Sequence, residues 1–221
     1  MARIPQKTGI GTDHVYDASY PYLIQINYRA GFFTHYAGAG TIKSCKVTAR
    51  GETADLCLTR TMATYEKVEG GVRLTTNPVT LTLGGLDVEI QSIFTFLEGE
   101  GKVVTERVIL NDLGGEEVTF YEYFTGGFGT TEYQADMTAL ALGVDEEEIP
   151  YTYHGKKIVK EHATRAYVNI PDVMTVVELG GDNDEMLVEE GIAFSPIYHL
   201  GVKKTITKGG VCTWLSLQKG H

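Results

Sequence analysis

Residues 86–124 read LDVEIQSIFTFLEGEGKVVTERVILNDLGGEEVTFYEYF, and three strands separated by two glycine-bearing turns account for them. Alternate residues of a strand share a face. Leu86, Val88, Ile90, Phe94 and Phe96 line one face of the first run, and Val104, Glu106, Val108 and Leu110 one face of the second. Val118, Phe120, Glu122 and Phe124 line one face of the third. Matching the apolar faces predicts an antiparallel meander that sets Phe94 beside Glu106 and Glu106 beside Glu122.

Two carboxylates on a mostly apolar face repel and lose hydration, so something must neutralise them. A proton or a bridging cation would mark an acid/base site. An Arg or Lys from a facing sheet would make the carboxylates structural. The opposite face gathers Gln91, Arg107, Tyr121 and Tyr123, with Arg107 expected across from Tyr121. Flat rings beside amide and guanidinium donors suit a polyhydroxylated ring. An ordinary solvated sheet face favours the same residue types.

The same punctuation runs through the chain. Short apolar runs such as YLIQINY, TIKSCKVTA, VTLTL, VMTVVEL and VCTWLSL alternate with Gly70-Gly71, Gly84-Gly85, Gly180-Gly181 and Gly209-Gly210. The fold expected is all-β, an antiparallel two-sheet β-sandwich of supersandwich type with at most one or two short helices. The 221 residues suit a single domain. One helical turn or two is allowed in EYQADMTALALGVDEEEI, and the acidic stretch near 143–150 is expected as a loop.

Charge narrows the partners. A formal net charge of −10 argues against nucleic acid and anionic membranes, leaving a small, sugar-like ligand and a homo-oligomer open. No apolar run is long enough to span a bilayer, and MARIPQKTGIGTDH lacks a leader's apolar core, so a cytoplasmic location is expected. Cys45, Cys57 and Cys212 form no CxxC and read as reduced thiols. No HxH or HExxH occurs, so neither a metal nor another cofactor is expected, although a discontinuous metal site stays open.

Among the six histidines, His162 is the preferred acid/base candidate. In KKIVKEHATRAYVNI, read as one strand, it shares a face with Ile158, Ala166, Val168 and Ile170. Arg165 and Tyr167 repeat the Arg/Tyr pairing on the other face and join the substrate-binding candidates. His199, near a strand end in SPIYHLG, is a further catalytic candidate. His35 lies in GFFTHYAGAG, read as a glycine-rich loop.

The central run, with Arg107, Ile109, Asn111, Gly115, Glu116 and Val118, resembles the galactose-mutarotase-like supersandwich of carbohydrate-active enzymes. The resemblance implies long antiparallel strands bearing a charged and aromatic face, and a carbohydrate ligand. The diagnostic His motif of the aldose epimerases is absent, so no catalytic residue carries over. The expected activity is acid/base chemistry on a sugar-like substrate, of epimerase, isomerase or lyase type, with Glu106, Glu122, His162 and His199 moving protons. The alternatives are a non-catalytic carbohydrate-binding or assembly subunit and a lipocalin-like barrel around an apolar ligand.

Overall fold

The computed structural model describes residues 13–16, 23–27, 32–36, 40–56, 63–97, 102–127, 141–152, 154–170, 175–191 and 197–219. Among them are strands and turns and no helix. The strands begin with β1 (Asp13–Tyr16), β2 (Leu23–Asn27), β3 (Phe32–Tyr36), β4 (Gly40–Ala49), β5 (Glu52–Asp55) and β6 (Ala63–Val68). Next come β7 (Gly71–Thr76), β8 (Val79–Leu83), β9 (Leu86–Leu97), β10 (Lys102–Ile109), β11 (Val118–Gly127), β12 (Ala141–Val144) and β13 (Glu147–Pro150). The remainder are β14 (Lys157–Glu161), β15 (Arg165–Ile170), β16 (Thr175–Gly181), β17 (Glu185–Glu190), β18 (Ile197–Ile206) and β19 (Gly210–Lys219).

They form two antiparallel sheets. A nine-stranded sheet runs β1-β2-β3-β4-β11-β18-β17-β14, with β5 also paired to β4. A ten-stranded sheet runs β13-β12-β15-β16-β19-β10-β9-β7-β6, with β8 also paired to β9. Neither sheet closes on itself, so the two-sheet sandwich holds and the lipocalin-like barrel does not.

Period-two patterning explains the packing. In β10 the residues alternate strictly between half-buried and buried. Val88, Ile90 and Phe94 face Phe120, Phe124, Val202 and Leu200 from the other sheet, all within one apolar core. Each such side chain contributes about 1.5–3 kcal/mol when fully buried. Two-residue turns fix the registers. Gly84 and Gly85, at φ 55° and 75°, join Leu83 to its ladder partner Leu86, a turn that needs positive φ at both central positions.

The expected three-strand meander is only half right. β9 pairs with β10, but β10 continues to β19, while β11 lies in the other sheet between β4 and β18. The 110–117 connection is an arch between sheets. Asn111 anchors its start, donating from Nδ2 to the Asp87 carbonyl and accepting from the Glu89 amide at Oδ1, both at 2.8 Å. Leu113 buries itself in the core at its middle. Glu106 therefore lies opposite Ile93 and Cys212 on the outer side of the ten-stranded sheet, and Glu122 points inward from the nine-stranded one. They are not neighbours, and Arg107 does not lie across from Tyr121.

Three further expectations change. The 156–170 segment is two strands in different sheets, with His162 at φ 50° in the turn between them, exposed rather than on an apolar face. The acidic 143–150 stretch is the β12–β13 hairpin, not a loop. His35 sits in β3 rather than in a loop. The expected helical turn before residue 141, and Cys57, fall outside the described residues. Cys45 is buried, its Sγ 3.7 Å from the Lys46 carbonyl oxygen, and Cys212 is half-buried.

Candidate functional site

β11 sorts its side chains cleanly. Val118, Phe120, Glu122 and Phe124 are at most 1% exposed on the inner face, and Thr119, Tyr121, Tyr123 and Thr125 are half-buried on the outer one. Glu122 is neutralised from across the sandwich. Arg107 Nε donates to its Oε1 at 2.6 Å and Nη2 approaches Oε2 at 3.5 Å. The guanidinium lies 5.0 Å from the Phe94 ring centroid. Burial works against the Arg107 charge, but the Glu122 carboxylate outweighs it, with Cys45 assisting, and the pKa is raised. Of the ways to neutralise Glu122, the structure uses a basic side chain from the facing sheet.

On the outer face of the nine-stranded sheet, register builds a cluster. Tyr121 lies between Lys46 and Lys203, Tyr123 between Ser44 and Gly201, and Thr125 between Ile42 and His199. One strand further, Glu185 faces Lys203, Leu187 faces Gly201, and Glu189 faces His199. The Tyr121 and Tyr123 rings stack with centroids 5.4 Å apart. Lys203 Nζ lies 5.8 Å from the Tyr121 centroid and 3.0 Å from Glu185 Oε1, and Lys46 Nζ lies 5.7 Å from the Tyr123 centroid. Gly201 makes room for this packing, since a Cβ there would meet Tyr121 Cε2 and Oη at 2.6 Å.

His199 completes the cluster. Its Nδ1 is 2.9 Å from Thr125 Oγ1, which fixes the ring and leaves Nε2 for a ligand. Burial lowers its pKa, with Glu189 pulling the other way, so the imidazole is neutral at pH 7. Tyr121 moves upward to about 12, first by burial and then by Glu189, Tyr123 and Glu185, and keeps its proton. A neutral base, a protonated phenol, two ammonium groups and two carboxylates thus share one open sheet face.

The remaining candidates lie elsewhere. Gln91 and Glu106 are on the outer face of the ten-stranded sheet, where Gln91 Nε2 donates to the Thr76 carbonyl at 3.1 Å. Arg165 and Tyr167 lie on that same face, Arg165 paired with Glu178 and Tyr167 Oη donating to Glu148 Oε2 at 3.0 Å. His162 is in its turn. A solvent-open depression of about 500 Å³ beside Arg50, Glu116 and Glu117 holds none of the aromatic or imidazole groups. No group of three His, Cys, Asp or Glu side chains among the described residues is placed to hold a metal ion. Lys46, Glu185, Glu189 and Lys203 were not among the sequence candidates. Glu185 and Glu189 are four apart in one strand, a same-face spacing visible in EMLVEE.

The fold places the chain among known architectures. No protein-family model matches it, and no curated protein matches it in sequence. In structure it resembles galactose mutarotase-like proteins. A galactose mutarotase related enzyme from Lactobacillus acidophilus superposes with TM-score 0.56 at 7% identity, covering 90% of this chain and 95% of that one. A galactose mutarotase-like protein from Lactobacillus casei gives 0.55 at 10% identity, covering 97% and 99%. A quadruple mutant of the α-N-acetylgalactosaminidase NagBb from Bifidobacterium bifidum gives 0.63 at 9% identity, covering 93% of this chain and 36% of that one. The fold is therefore the mutarotase-like supersandwich.

Proposed function

We propose that the face around Tyr121, Tyr123 and His199 binds a sugar-like ring and moves protons on it, in a reaction of epimerase type. The observation that carries this reading is the row Thr125–His199–Glu189 beside the stacked tyrosine pair. Aromatic edges and apolar ring faces contact the C–H side of a sugar, while Lys46, Lys203 and Glu185 bond its hydroxyls.

Interconverting anomers by ring opening requires a base for the anomeric hydroxyl proton and a donor for the ring oxygen. His199 Nε2, neutral at pH 7, takes the first proton. Glu189 offsets the charge of the imidazolium that forms. The Tyr121 phenol, still protonated at neutral pH, donates toward the ring oxygen. Closure on the other face of the aldehyde reverses both transfers. The sugar-related names of the structural neighbours support a saccharide as the substrate class.

A purely binding role is the second reading, since the stacked tyrosines and the charged groups beside them can hold a sugar without moving its protons. Magnetisation exchange between the α and β anomers of free aldoses separates the two. The enzymatic reading expects exchange faster than in buffer, lost in His199→Gln while ligand-induced shifts persist. Ligand shifts without exchange support the binding role, and the absence of both across an aldose panel overturns each.

A further inference from the structure

The ten-stranded sheet carries a second arrangement, unconnected with the first. On its outer face one row runs Gly143–Tyr167–Glu178–Ser216–Lys102, and the next runs Arg165–Gly180–Trp214–Val104. Two glycines set two rings down on the sheet. A Cβ at Gly143 would lie 2.2 Å from Tyr167 Cζ, and one at Gly180 would lie 2.4 Å from Trp214 Cζ2. Both rings lean in the same direction across the sheet from strands two apart, so they are spaced by about 10 Å. Arg165 pairs with Glu178 and lies 4.8 Å from the Tyr167 centroid, and Lys102 Nζ lies 4.9 Å from the Trp214 centroid.

Between the rings the face is polar and enclosed. Glu178 is 5% exposed and Ser216 3%. Among the described residues, the Ser216 hydroxyl has no hydrogen-bond partner. Leaving a buried hydroxyl unpaired is unfavourable, and a ligand hydroxyl would relieve it. The charges cancel locally, Arg165 and Lys102 against Glu178 and Glu148, so the face suits an uncharged occupant better than a phosphate or a uronate.

We propose that this face is a second saccharide-binding surface, for an uncharged oligosaccharide. Trp214 and Tyr167 lie under separate sugar rings, and Glu178, Arg165 and the Ser216 hydroxyl bond the hydroxyls between them. Lys102 is the flexible cover that swings off the indole. The ring spacing exceeds one monosaccharide, which selects chains over free sugars.

Trp214 is the sole tryptophan, so its emission reports this face directly. The full chain is titrated with neutral tetrasaccharides of glucose, galactose and N-acetylgalactosamine, and with an oligogalacturonate. The expected result is a saturable emission change with at least one neutral tetrasaccharide. Its midpoint weakens about tenfold in Arg165→Ala, a half-exposed position that leaves the core intact, and is unchanged in Tyr121→Ala. Three outcomes overturn the proposal: no saturable change with any neutral chain, tighter binding of the oligogalacturonate, or a change kept in Arg165→Ala and lost in Tyr121→Ala. Anomer exchange is read separately, so failure at one face is distinguishable from failure at the other.

Discussion

Arg107 and Glu122, each 1% exposed, join the two sheets through a 2.6 Å bond across the interior of the sandwich. Breaking a buried pair from one side leaves a charge with nothing to balance it, which costs about 3–5 kcal/mol. Arg107→Met or Glu122→Leu alone is therefore expected to lower the unfolding free energy by that amount in urea titrations. The double substitution Arg107→Met/Glu122→Leu fills the space with apolar atoms and is expected to recover most of the loss. A double-mutant cycle with no coupling would contradict this account.

His199 makes stability depend on pH. Its pKa is depressed in the folded protein, so the unfolded chain binds the proton more readily. Stability is then complete above the ordinary histidine value of about 6.5 and declines as pH falls toward the folded value. Urea midpoints measured from pH 8 to pH 5 are expected to fall, and less steeply in His199→Gln. Anomer exchange is expected to fall over the same window as the base becomes protonated.

Gly201 tests the aromatic platform without touching a functional group. A methyl group there would collide with Tyr121 at 2.6 Å and press on Leu187 Cγ at 3.0 Å. Gly201→Ala must push the tyrosine away, at about 1–3 kcal/mol of strain. Ligand-induced shifts are expected to weaken about tenfold, in proportion to the lost ring contact. Unchanged binding would remove Tyr121 from the site.

Acid sensitivity has a separate source in Glu190, which is 1% exposed and gathers Thr152, His154 and Lys156. It accepts from the Thr152, His154 and Lys156 amides at 2.5, 2.8 and 3.3 Å. Burial raises its pKa, but these amides outweigh it and the net shift is downward. Its stabilisation is present above the ordinary value of about 4.3 and is lost as pH falls through the folded one. Glu190→Gln is expected to cost about 1.5–3 kcal/mol at pH 7 and less at pH 3.

Alternation alone disclosed much of this. In β11 the apolar spacing of Val118, Phe120 and Phe124 identified the inner face, placed Glu122 on it and sent Tyr121 and Tyr123 outward. In β10 it failed, because Val103, Thr105, Arg107 and Ile109 compete with Val104, Glu106, Val108 and Leu110 on nearly equal terms. The contest is decided by Glu122, a partner in the opposite sheet, and nothing local reveals that. His162 occupies a positive-φ turn with no adjacent glycine or proline to announce it, so a strand pattern ran straight through. Tyr121, Tyr123 and His199 were each visible in the sequence. Their union with Glu189 depends on the β11–β18 and β17–β18 registers, the first of which joins residues some eighty positions apart.

That separation governs how the chain can fold. β11 is flanked by β4, with Cys45 opposite Glu122, and by β18, with Val202 opposite Glu122. During synthesis β11 emerges with only one of its two edges able to pair, and the other stays open until residues 197–206 have been made. The Arg107–Glu122 pair is sealed later still, when β19 covers the free edge of β10. Such non-local pairing implies slow, late-committing folding. Nascent chains halted before β18 are expected to bind holdase chaperones through β11, and release should coincide with the arrival of β19.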